Sequence, residues 1–222
     1  MNNSVVNTVR LLGAGLRALL VLTLVTGVIY PLVVTGIAQG LFPGKANGSE
    51  IKADGKVVGS SLIGQAYNLP LKKGQETPAP DLKWFQGRPA NGLGTNSVNT
   101  QYKLLLSGAT NLSADSKDLI KQVEDAKAAV VRDNSVPGHT VKPSDVPPDA
   151  VTSSASGLDP DISPAYAELQ AHRVAAENGL SVAKVDKLVE EQTEARTLGF
   201  IGEPRVNVLE LNIALKDLVA KG

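Results

Sequence analysis

The chain has 222 residues, with 22 basic and 22 acidic side chains, so its net charge of zero gives no electrostatic reason to bind nucleic acid. It has no cysteine, which excludes disulfides, thiol catalysis and thiolate metal sites. Its two histidines, His139 and His172, leave a structural zinc site almost no ligands.

The first predicted element dominates the organisation. Ala18–Gln39, "ALLVLTLVTGVIYPLVVTGIAQ", is apolar nearly throughout, and no charged residue occurs between Ala18 and Gly44. At ~1.5 Å per residue it makes a rod of about 33 Å, long enough to cross a hydrocarbon core. A cleavable signal peptide has an apolar region of roughly 7–15 residues. Although Ala38-Gln39-Gly40 resembles a cleavage site, this longer run reads as a retained anchor. Arg10 and Arg17 precede it, and no acid occurs before Glu50. That asymmetry predicts residues 1–17 in the cytoplasm, 18–39 in the bilayer and 41–222 outside. Pro31 interrupts the span, and Gly36/Gly40 and Thr23/Gly27 have small-xxx-small spacing. Ala18, Gly27, Pro31, Gly36 and Gln39 are its reference positions.

In the exported part, Val57-Val58 and Ser61-Leu62-Ile63 suggest a strand or two. A Pro/Gly/Lys-rich loop follows over 68–81, then Trp84-Phe85-Gln86-Gly87-Arg88-Pro89, a Gly/Asn run to Asn99, and a short apolar run from Leu104. Four helices come next. Leu119, Val123, Ala126 and Val130 line one face of the first, with Asp115 or Ser116 as cap and Asp133-Asn134 as its end. Ser163, Pro164 and Gly179 bracket the second, whose Ala167, Ala171, Val174 and Ala175 form a thin stripe for close packing. Ser181 opens the third, with Val182, Val185, Leu188 and Val189. Asn207 and Glu210 have capping-box spacing for the fourth, with Val208, Leu211, Leu215 and Leu218 on one face. Strands early and helices late predict an α+β fold of undetermined sheet order.

The stretch "VTSSASGLDPDISPAYAELQAHRVAA", 151–176, combines hydroxyls, acids and a histidine. A serine nucleophile needs a base in reach, and the G-x-S-x-G elbow is missing from "SSASG". His172 falls on a helix face that reads as mostly exposed, and His139 in a Pro/Gly loop. An anchored extracytoplasmic serine hydrolase using Ser154 or Ser156 is therefore the weaker alternative. The structural reading uses more of the residues: Gly157 frees a turn, while Pro160 and Pro164 stiffen a presented loop. On that reading Ser156→Trp or Asp159→Lys weakens assembly with a partner and leaves the domain folded. No phosphate loop and no dinucleotide fingerprint occurs. Trp84 and Phe85 read as core, and Arg88 beside them as the surface candidate.

The blocks "GSSLIGQ", "WFQGRPA", "SGATNL", "VTSSASGLDPDISPAYAELQAHRVA" and "LGFIGEPRVNVLELNIAL", together with the Tyr-Pro in the anchor, closely resemble the C subunit of the bacterial Kdp high-affinity potassium-transporting ATPase. The match runs in order from the anchor to about Leu218. The sequence departs modestly at Trp84–Ala90 and Ser107–Leu112. The resemblance implies three partner subunits: a channel-like A subunit selecting potassium, a P-type ATPase B subunit hydrolysing ATP, and a small F subunit. It implies an assembly role and a "catalytic chaperone" role that raises ATP affinity, with ATP and potassium handled by the partners and no cofactor on this chain. Candidate docking positions in these blocks are Trp84, Phe85, Arg88, Asn111, Ser156, Gly157, Asp159, Ile162, Pro164 and Gln170. Independently, one transmembrane helix cannot enclose an ion path, and the chain has no D-K-T-G phosphorylation motif.

Overall fold

An almost unbroken helix forms the first of two units, Met1–Glu50, in a computed structural model that describes residues 3–75, 77–95 and 105–221. Helix α1 (Asn3–Leu24) passes through one π-turn (Val25–Ile29) into α2 (Tyr30–Leu41). The π-turn has an identifiable cause. Pro31 has no N–H, and in a regular helix its ring presses on the carbonyl four residues back, Gly27. A wider turn just before it opens space: the Tyr30 N–H donates to the Val25 carbonyl, five residues back, and Thr26 Oγ1 donates to the Leu22 carbonyl at 2.7 Å. Ser4–Leu41 is long and apolar enough to cross a membrane, so the helix begins well before Ala18 and includes Arg10 and Arg17. One further turn, α3 (Pro43–Ala46), follows, with paired amide hydrogen bonds between Gln39 and Asn47.

The second unit, Ile51–Gly222, is α+β as expected. β1 (Glu50–Ala53) and β2 (Lys56–Ser60) form a two-stranded sheet. Val57-Val58 is therefore strand, but Ser61–Ile63 is a turn: the chain bends there so that the Gly64 N–H reaches the Leu158 carbonyl at 2.8 Å. β3 (Gly94–Thr95) and β4 (Leu105–Leu106) pair antiparallel. Leu104 and the run from 96 to 99 lie outside the described residues.

Helix α4 (Lys117–Asn134) is capped by Ser116, whose hydroxyl accepts from the Leu119 N–H; Asp115 is not the cap. Two 3-10 turns (Pro143–Asp145, Pro148–Ala150) lead to β5 (Asp161–Ile162). In α5 (Pro164–Asn178), Ser163 accepts from the Tyr166 N–H at 3.1 Å, and Gly179 closes the helix at φ +65°, which a β-carbon would strain. α6 (Val182–Glu191) follows Ser181 without a side-chain cap bond. β6 (Thr193–Glu194) and β7 (Arg205–Asn207) precede α7 (Val208–Lys221), where the Asn207 carboxamide accepts from the Glu210 N–H at 3.2 Å.

The sheet order that the sequence left open is β5-β7-β6, antiparallel throughout, with Val206 opposite both Ile162 and Thr193. Helix α5 is the centre of the core. Its stripe of Ala167, Ala171, Val174 and Ala175 is buried among Val185 and Val189 of α6, Leu211 and Leu215 of α7, and Val206. Small side chains let helix axes approach closely, which explains an alanine stripe where leucine is the commoner choice.

Candidate functional site

Four stretches of irregular chain meet over the sheet, and 151–162 is the hub. Its carbonyls accept from three other loops: Ser156 from the Gly108 N–H (3.1 Å) and Ser107 Oγ (2.9 Å), Leu158 from Gly64, and Thr152 from Arg88. The Asn91 N–H donates to Ser153 Oγ at 3.2 Å. Within the hub, Ser156 Oγ accepts from the Leu158 N–H, Asp159 Oδ1 from the Asp161 N–H, and the Pro160 carbonyl from the Val208 N–H. This is the Asx and Ser turn chemistry expected of such a sequence. Together these bonds tie the hub to three other loops and to the start of α7.

Three glycines are needed at this junction. A β-carbon on Gly64 lies 2.5 Å from the Asp159 carbonyl oxygen, and one on Gly92 (φ +95°) lies 2.7 Å from the Ala109 carbonyl carbon. Gly157 takes φ +67°. The junction frames a groove of about 550 Å³ lined by Ile63, Gln65, Arg88, Leu93, Leu105 and Asp159, among others.

Of the expected docking residues, Arg88, Ser156, Gly157 and Asp159 come together here. Arg88 is committed inward: its Nη1 pairs with Asp159 Oδ2 at 2.9 Å, with both side chains about three-quarters covered. It ties two loops together, so the residue read from sequence as the surface candidate is partly covered, with about a quarter of its side chain exposed. Asp159→Lys breaks that pair, so it is a fold-damaging variant and not the clean docking test that the sequence suggested. Asn111 is exposed at φ +51°, a left-handed position asparagine tolerates. Trp84 is half-buried against Tyr67, centroids 5.9 Å apart. Phe85, Ile162 and Gln170 are buried and support the surface from beneath, while Pro164 is the first residue of α5.

Beneath the junction lies a polar network that sequence reasoning missed. Arg173, 1 % exposed, donates to Asn134 Oδ1 (2.9 Å), the Trp84 carbonyl (2.9 Å), the Leu82 carbonyl and Gln170 Oε1 (2.7 Å). Gln170 also bonds both backbone groups of Gln86, and Asn212 both backbone groups of Phe85. Burial lowers the Arg173 guanidinium to about 10 and pushes the Tyr166 phenol up to about 12. The guanidinium stays charged at neutral pH. The available signal was the spacing of Gln170 and Arg173, three apart and on the same face as the buried stripe of α5, whereas Glu168 of the same stretch is exposed.

Catalytic geometry is not assembled here. Ser154 and Ser156 hydroxyls contact each other at 3.4 Å, and neither is hydrogen-bonded to a histidine among the described residues. His139 and His172 stack on one another instead, 3.6 Å apart and 4° from parallel, both half-buried where His172 was expected exposed.

A second surface feature was also missed. The β6–β7 connection closes in a tight turn with Thr197 and Ile201 exchanging both backbone hydrogen bonds, at 2.9 and 3.0 Å. Its tip presents Leu198, Phe200 and Ile201 at 79, 71 and 51 % exposure. The signal was an apolar triplet inside a turn bounded by Arg196 and Glu203.

Fold and site together define a class: a long apolar N-terminal helix followed in the chain by one α+β domain whose loops meet in a cross-bonded junction. Comparison with known proteins gives the family. Residues 12–217 match the family described as KdpC, the K+-transporting ATPase c chain, and this chain belongs to it. It is 81 % identical over 220 residues to a potassium-transporting ATPase KdpC subunit of Streptomyces avermitilis, covering 99 % of each chain. It is 78 % identical over 222 residues to the one from Streptomyces coelicolor, covering 100 % of this chain and 99 % of that one. With the Kineococcus radiotolerans subunit the identity is 43 % over 98 % of each.

Proposed function

We propose that this chain serves its potassium-transporting ATPase complex as a non-catalytic, single-span accessory subunit, with residues 41–222 on the outer side of the membrane. The observation that carries the reading is charge asymmetry about the apolar helix: Arg10 and Arg17 on the N-terminal side, and no acid before Glu50. The exported domain supplies a preformed surface, the junction around Ser156–Asp159, that caps the channel-like A subunit. The P-type ATPase B subunit and the small F subunit complete the assembly. ATP is hydrolysed on the opposite side of the bilayer, so any rise in ATP affinity is a coupling free energy carried through the membrane subunits.

Two measurements test this. Co-purification on a tagged A subunit should recover less B subunit when this chain is absent, and the assembled complex should reach half-maximal ATPase activity at lower ATP than the B subunit without this chain. Unchanged assembly and unchanged ATP dependence contradict the proposal. Photolabelling of the intact complex with an ATP analogue should leave the exported domain unlabelled; specific labelling there contradicts the indirect mechanism.

A further inference from the structure

We propose that the Leu198–Ile201 turn is a membrane-contacting finger that inserts into the interfacial layer of the same bilayer its own helix crosses. Three large apolar side chains at the tip of one turn, each more than half exposed, is an arrangement that a water-facing loop does not favour. The features of the turn choose lipid over a protein groove.

First, the backbone is closed on itself. Thr197 and Ile201 bond each other in both directions, the Gly199 N–H reaches the Arg196 carbonyl, and the Phe200 N–H reaches the Thr197 carbonyl. Leu198 at φ +55°, Gly199 at +82° and Gly202 at +80° hold that closure. Pairing the Gly199, Phe200 and Ile201 N–H groups within the turn lowers the cost of entering a region poor in water, whereas strand-adding partners need an open edge.

Second, the charges at the base are paired with one another. Arg196 pairs with Glu203, and Arg205 with Glu194 at 2.7 Å and Asp161 at 3.1 Å. With two arginines against three carboxylates the set sums to −1, but each of its charges already has a partner within the domain, so it leaves a charged protein surface little free charge to recognise.

Third, the tether is short. Only residues 42–49 separate the end of the apolar helix from β1, a reach of at most about 28 Å. The root of the hairpin is bonded to the chain about a dozen residues after that tether, where the Asn207 side-chain amide donates to the Ser61 carbonyl at 2.9 Å.

The inference rests on the anchored topology proposed above, so the test separates the two. Full-length Phe200→Trp protein is placed in phosphatidylcholine nanodiscs with plain or brominated acyl chains, alone and within the complex. The parent protein sets the baseline, since its single tryptophan, Trp84, packs on Tyr67. The added indole should emit to the blue of its position in water and lose intensity in brominated discs, in both the free chain and the complex. Adding Leu198→Asp and Ile201→Asp should move the emission of that indole to its position in water and abolish its quenching by brominated lipid. An indole that is never quenched by brominated lipid overturns the proposal, whether it stays water-exposed or shifts to the blue only on assembly; the latter outcome assigns the finger to a partner subunit. Alkaline extraction of native membranes reads the anchor by itself: release of the chain overturns both readings, whereas retention with an unquenched indole overturns only this one.

Discussion

Arg173 carries a charge into the core, and among the described residues its bonds go to neutral acceptors from three parts of the chain and to no carboxylate. Truncating it removes a donor from two carbonyls, from Asn134 and from Gln170, which keeps only the Gln86 N–H, so Arg173→Met should cost about 3 kcal/mol of stability by urea denaturation. Lysine should not rescue it, because an ammonium cannot reproduce the guanidinium fork. Tyr166 gives a pH test. Its folded value of about 12 lies above the unfolded value of about 10, so the folded state keeps a proton that the unfolded chain releases. The stability this contributes is complete below about pH 10 and lost as pH rises to about 12. Arg173, lowered by burial, acts with the opposite sign in that alkaline range. Tyr166→Phe should therefore gain stability relative to the parent protein between about pH 10 and 12, measured by denaturation at each pH. These residues were hard to read from sequence because an arginine and a glutamine in a helix usually face solvent. Only the position of α5 between α6, α7 and the loops turns them inward.

At the scale of elements, local chemistry was legible and long-range pairing was not. Ser116, Ser163, Gly179 and the Asn207/Glu210 spacing marked helix ends correctly, because caps bond within one turn of their own helix. The alanine stripe of α5 was legible for the same reason: helical periodicity is a local signal. Strands of two or three residues carry almost no periodicity, so the β5-β7-β6 order and the turn at Ser61–Ile63 had no signal to read. The loop junction yields a direct test. Gly92→Ala combines a left-handed φ with backbone contact at 2.7 Å, and should destabilise the domain by about 2 kcal/mol or more, seen as a lower Tm. Gly138→Ala is the control, with a left-handed φ of +83° and open space around the added carbon, and should cost about 1 kcal/mol. Equal losses in the two variants would deny the junction its tight packing.

For the whole molecule, the decisive property is which compartment holds the domain. The apolar helix and its N-terminal arginines were plain in the sequence, and so was family membership, because both are written in contiguous residues. The apolar finger was not singled out, since its meaning depends on exposure and exposure depends on the fold. If the domain lies outside, it acts on ion entry and assembly by contact, and ATP hydrolysis responds only through coupled subunits. The chain has no native cysteine, so single cysteines report position without background. The most direct measurement labels intact cells with a membrane-impermeant maleimide, comparing Ala155→Cys at the exposed rim of the junction with Asn7→Cys near the N-terminus. Labelling at 155, with 7 reacting only after the cells are permeabilised, is the expected result. Labelling at 7, with 155 protected until permeabilisation, would place the domain in the cytoplasm and contradict the account.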